Sequence, residues 1–160
     1  TCKIDDVVDY VISRFGDEPK PLSLLKLQKL LFYVQAWRLA LCGQPLFPSK
    51  FQAWVHGPVS RQVYDRFKDT HSLYAWVGAR DIREGFNANA LTEEHRAHVD
   101  EILEAYGSFT GPQLEAMTHD EEPWIHARGD RLPHERCETE IDEVLMARYY
   151  SSLLDSKQAQ

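Results

Sequence analysis

A chain of 160 residues with three cysteines has the length of one domain. It can bury about two thirds of the surface its unfolded form exposes, which excludes any need for disulfides or a structural metal. Net charge is −7, with 12 Lys and Arg against 9 Asp and Glu in residues 1–92 and 6 against 16 in residues 93–160, so the second half repels phosphate backbones and draws basic partners.

Ile4, Val7, Val8, Val11, Ile12 and Phe15 recur at helical spacing before Gly16 and predict an amphipathic helix over 3–15, with Asp5, Asp6 and Asp9 on its outer face. Asp17-Glu18-Pro19-Lys20-Pro21 reads as a connector. Ser23 is placed to cap the next helix, whose run from Leu25 to Trp37 is apolar on nearly every face. Such a helix has no solvent side and must be the one the others pack around. Gly43 is its expected stop, and Cys42 at its end is expected to be packed. Two prolines between Gln44 and Lys50 break regular structure, and Phe51–Val55 reads as a short extended piece. Gly57-Pro58 then allows a turn with proline at the first helical position, which predicts a helix over 59–69 with Val59, Val63, Tyr64 and Phe67 inward.

Residues 70–91 have no clean period and read as a long irregular loop pinned by Leu73, Trp76 and Val77. Thr92 opens a helix that ends at Gly107. Thr110 and Gln113 form a capping box for another, running to about His119. Pro123 starts a short helix through Trp124 and Ile125, and Thr139 is the expected cap of a last helix with Ile141, Val144, Leu145 and Tyr149 inward. The sum is an all-α, mainly helical bundle of about seven helices around a buried central one, with at most a short extended piece near 51–55.

Chemistry-bearing patterns are sparse. His119, His126, His134 and Cys137 lie in one stretch, but only His134 and Cys137 have the close spacing zinc ligands need, and the three cysteines include no Cys-x-x-Cys pair. No Gly-rich phosphate loop, His-Glu-x-x-His or Gly-x-Ser-x-Gly is present. No metal, cofactor or catalytic residue is therefore assigned. Lys26, Lys29 and Arg38 interrupt the most apolar stretch, which makes it costly in lipid, and no signal peptide opens the chain. The expectation is a cytoplasmic protein without a membrane partner.

Several short words remain: Lys26-Leu27-Gln28-Lys29-Leu30-Leu31, Ala36-Trp37, Pro45-Leu46-Phe47, Ala53-Trp54, Gly57-Pro58-Val59 with Tyr64, and later Leu114, Thr118-His119 and Pro123-Trp124. Each is unspecific, but their order and spacing resemble the SocA-like or Panacea domain, met in prophages as GepA-like proteins. The resemblance spans roughly Leu22 to Tyr150. It implies an antitoxin of a toxin–antitoxin pair, binding its cognate toxin without chemistry of its own. At least one type in that family is an adaptor that delivers its toxin to a protease, so an unfoldase is an alternative partner.

Trp54, His56, Tyr64, Trp76 and Trp124, aromatics with a polar handle of the kind that serve as interface anchors, and the Gly57-Pro58 turn they flank are the residues assigned to partner binding. Among the tryptophans, Trp37 and Trp54 are expected mainly to pack, and Trp76, in the loop, is the better contact. A nucleic-acid-binding regulator using Arg61, Arg66, Lys68, Arg80 and Arg83 is the remaining alternative, disfavoured by the acidic balance.

Overall fold

Helix α2 (Leu24–Cys42) has residues on all sides buried: Leu25, Leu27, Leu30, Leu31, Phe32, Tyr33, Val34 and Ala36 are each 1% exposed or less. The computed structural model describes residues 1–16 and 22–158, and the connector expected over 17–21 lies outside them. Ser23 accepts the backbone N–H of Lys26 at 3.1 Å, and Gly43 closes the helix in the left-handed region at φ 70°. Around α2 pack α1 (Ile4–Phe15), α4 (Glu93–Tyr106), α5 (Gly111–His119) and, most extensively, α7 (Glu143–Gln158), with α3 (Arg61–Phe67) and α6 (Glu122–Arg128) further out. The expected mainly helical bundle is thus present, with two small antiparallel ribbons added. None of the described helices is long and apolar enough to cross a membrane.

The first ribbon pairs β2 (Phe51–Trp54) with β3 (Gly57–Ser60), Ala53 opposite Pro58 and Trp54 opposite Gly57. This corrects the helix expected from residue 59. Pro58 and Val59 are strand, and the helix waits for Ser60, whose hydroxyl accepts Val63 N–H at 3.4 Å. Backbone pairing with residues 51–54 outweighs the local preference of proline for a first helical turn.

The second ribbon joins β1 (Leu22–Ser23) to β4 (Trp76–Val77), and single 3-10 turns follow at Ala79–Asp81 and Ala88–Ala90. Residues 70–91 are therefore tied down more firmly than an irregular loop. Asp9 is part of the tie, and it is buried rather than on an outer face. It accepts Arg66 at 2.6 Å, and Arg83 bonds both Asp9 and Asp6.

The last helix starts later than expected. Thr139 does not cap it: its carbonyl accepts Ala53 N–H at 2.9 Å, and Ile141 N–H reaches Phe51 O at 2.7 Å, so residues 139–141 lie along β2. Asp142 instead accepts Val144 N–H at 2.8 Å. This pairing sets the phase of α7, so that Met146 and Tyr150 are buried while Val144 is 66% exposed. Cys42, expected to be packed, is exposed.

Candidate functional site

The β2–β3 hairpin is held against α2 by two polar side chains that the sequence places on a buried helix. Gln28 acts as a substitute strand: its Oε1 accepts Ser60 N–H at 2.9 Å and its Nε2 donates to Ser60 O at 3.2 Å. One turn of hairpin edge is thereby satisfied without a third strand. Lys29 is wholly buried and donates from Nζ to Pro58 O at 2.9 Å. Burial pushes its amine down to about 7, against the opposing pull of Glu115. Its stem runs beneath Gly57, where a Cβ would stand 2.5 Å from Lys29 Cε and 3.0 Å from Thr118 Oγ1. Only glycine fits there, and at φ 100° only glycine is at ease.

The other side of the hairpin is clamped by α5 and α6. Trp124 Nε1 donates to Trp54 O at 2.9 Å and its ring stacks on His119 at 4.0 Å. Desolvation lowers the pKa of His119, which keeps the stacked imidazole neutral. Arg128, also buried, donates to Ala53 O at 3.0 Å and, through its other nitrogen, to Leu132 O and Glu135 O. The backbone of residues 132–135 is thus bound to the hairpin through one guanidinium.

These clamps leave two open spaces on adjacent faces. The first is a cleft of ~560 Å³ between the hairpin, α3 and residues 134–138. Trp54 and Tyr64 meet edge to face at 4.9 Å beside it, with the Arg61 guanidinium 5.7 Å and 5.4 Å from the two rings. His56 lies exposed at the turn, bonded to Glu115 at 3.0 Å, and its ring meets the Tyr74 ring edge-on at 6.2 Å.

Beyond Tyr74 is the second space, a groove of ~1120 Å³ whose lining includes Phe15, Leu25, Leu103, Phe109 and Pro112. Tyr74 and Trp76 also line it and are 60% and 59% exposed. Pairing of β4 with β1 turns Val77 into the core and so Trp76 out of it. Asp100 and Glu104 of α4 are among its charged residues, Asp100 pairing with Arg14 at 3.2 Å.

The seven residues assigned from sequence therefore divide. Gly57, Pro58 and Trp124 are buried and hold the hairpin; Trp54, His56 and Tyr64 line the cleft; Trp76 lines the groove. Sequence reasoning missed Tyr74, whose signal was its place two residues before Trp76 in a stretch without period. Of the five cations considered for nucleic acid, Arg66 and Arg83 bond the carboxylates of α1, Arg61 pairs with Asp65 and Glu138, and Lys68 with Asp65. Among the described residues, no group of three or more His, Cys, Asp or Glu side chains is placed to hold a metal ion.

Residues 27–125, which contain Gln28, Lys29, the hairpin and Trp124, match the family described as Antitoxin SocA-like, Panacea domain. The chain belongs to this family. It is similar to the antitoxin SocA of Caulobacter vibrioides (strain NA1000 / CB15N), with 31% identity over 104 residues, 62% of this chain and 55% of that protein. The chain thus spans about half the length of the curated relative it matches. No solved structure matches it significantly. The Panacea match begins inside α2 and ends just past Trp124, so it takes in the hairpin, Gln28, Lys29 and Trp124 that hold it, and most of the residues around the two open spaces, but not Arg128.

Proposed function

We propose that the chain acts as a single antitoxin domain that neutralises a cognate toxin by direct protein–protein binding, with the Tyr74–Trp76 groove as the contact. Membership of an antitoxin family supports a toxin partner and a regulatory, non-catalytic role. The observation that carries the choice of surface is the pair of exposed aromatics beside an apolar groove. Large exposed apolar side chains gathered at one place are typical of interaction sites, and Trp and Tyr are the commonest strong anchors in interfaces. The acidic balance of residues 93–160, with 6 Lys and Arg against 16 Asp and Glu, speeds encounter with a basic partner.

The test is coexpression with the product of the neighbouring reading frame, scored by growth rescue and copurification. Replacing Tyr74 and Trp76 together by alanine abolishes both, while the thermal midpoint stays close to the parent because neither side chain is buried. Full rescue and undiminished copurification by the double variant would refute the groove as the contact. Toxin half-life followed in the same cells separates blocking from delivery to a protease. Blocking leaves turnover of the toxin unchanged.

A further inference from the structure

The cleft on the other side of Tyr74 has a different character from the groove. Its lining contains Arg61, Lys68 and Arg136 together with His56, His71 and His134, and a single carboxylate, Glu138. Just outside the lining Asp65 pairs with Arg61 and Lys68 at 3.6 Å and 3.5 Å, which leaves three cations against two carboxylates, a small local excess of positive charge in a chain with net charge −7. The lining carboxylate is already engaged by two of the cations: its Oε1 accepts Arg136 at 2.7 Å and Arg61 at 3.1 Å. Those same bonds hold the Glu138 carboxyl below its usual range, Arg136 contributing most. Arg61 also lies against the rings of Trp54 and Tyr64, so a cation and two aromatic faces converge at one point.

We propose that this cleft is a second binding site, for an acidic segment of a partner protein that carries an apolar or aromatic side chain, and that Glu138 occupies the carboxylate position while the cleft is empty. A partner carboxylate takes the place of Glu138 on Arg61 and Arg136, a geometry guanidinium groups favour. The neighbouring apolar side chain packs on Trp54 and Tyr64. A space of ~560 Å³ suits one or two side chains rather than a folded element. The site is separate from the groove assigned to the toxin and stands whether or not that assignment holds.

The probe is a fluorescein-labelled acidic octapeptide containing one phenylalanine, titrated at physiological ionic strength and followed by anisotropy. At that salt the overall negative charge of the chain is screened beyond about 8 Å, so the local lining decides. Glu138→Gln vacates the carboxylate position and tightens binding by about twofold to tenfold; Arg136→Gln weakens it by a similar factor. The Arg136 side chain is 84% exposed, so its replacement leaves the core intact. A peptide with lysine in place of the acids does not bind. Absence of saturable binding by both the parent and Glu138→Gln up to about 1 mM overturns the proposal. An unchanged affinity in both variants overturns it too, as does an oligothymidine strand that binds more tightly than the acidic peptide.

Discussion

Replacing Gly57 by alanine tests whether the hairpin is held as the geometry describes. The new Cβ meets Lys29 Cε at 2.5 Å and Thr118 Oγ1 at 3.0 Å. Lys29 has no free space to retreat into, because its side chain is wholly buried and its amine is tied to Pro58 O. Overpacking of this kind costs about 1–3 kcal/mol. An L residue at φ 100° adds about 1–3 kcal/mol, and the stiffer unfolded chain returns up to about 1 kcal/mol. The net expectation is about 1–6 kcal/mol lost. With a urea slope of about 2 kcal/mol per molar, the unfolding midpoint falls by about 0.5–3 M at constant slope. Gly43→Ala is the control, since Gly43 has φ 70° but nothing within 4 Å of a built Cβ. It carries the backbone strain alone and falls by about half as much or less. Equal shifts for the two variants, or a Gly57→Ala shift under about 0.25 M, would refute the account of Lys29 as a filled, anchored strut.

Lys29 also predicts a pH dependence. Its amine is lowered from 10.5 to about 7 by burial, so between those values the unfolded chain binds a proton that the folded chain does not, and stability from this group rises with pH. Against Lys29→Met, the parent gains about 2 kcal/mol or more between pH 6 and 9, read from thermal midpoints of both proteins; parallel curves contradict it. Glu121 gives the opposite sign. It is raised chiefly by desolvation while accepting Tyr33 and Tyr150 hydroxyls at 2.7 Å and 2.8 Å. Its contribution is full below the ordinary carboxylate range and is lost as pH rises through the raised value. Glu121→Gln keeps an acceptor for both tyrosines and removes that loss, so its midpoint matches the parent at acid pH and exceeds it at pH 7; a variant less stable than the parent at pH 7 refutes the reading.

Local signals carried most of the helical frame. The all-round apolar α2, the Ser23 cap and the Thr110–Gln113 box are satisfied by residues three or four apart, and the structure has them where the sequence implies. The failures share a cause. Pro58 in β3, Thr139 beside β2, Asp9 buried under Arg66 and Arg83, and Trp76 paired with Ser23 all depend on partners far away in the chain. A proline or threonine reads the same in isolation whether its neighbours continue as helix or meet a strand. The candidate site was legible to the same extent: the aromatic words were visible and the loop position of Trp76 marks it as a contact, but that Gly57 and Trp124 serve the frame follows only from the pairings.

The division between frame and face bears on how such a domain can change partner without losing its fold. Gln28, Lys29, Gly57, Pro58, Thr118 and Trp124, which belong to the words that carry the family resemblance, are all buried. Each is fixed by a neighbour it touches, so most substitutions there destabilise by the mechanisms of overpacking or unsatisfied polar groups. Tyr74, Trp76, Arg136 and Glu138 lie outside those words, at positions carried by the short ribbon β1–β4 or by the 132–141 segment that Arg128 binds to the hairpin. Substitutions at these positions leave the core packing unchanged while altering what the two surfaces present. A frame that positions its outer residues through backbone bonds, such as Arg128 to Leu132 O and Glu135 O, holds them in place whatever their side chains are. Under the roles proposed for the groove and the cleft, partner choice in this chain can drift there under selection for binding alone, with stability governed separately by the clamps on the hairpin.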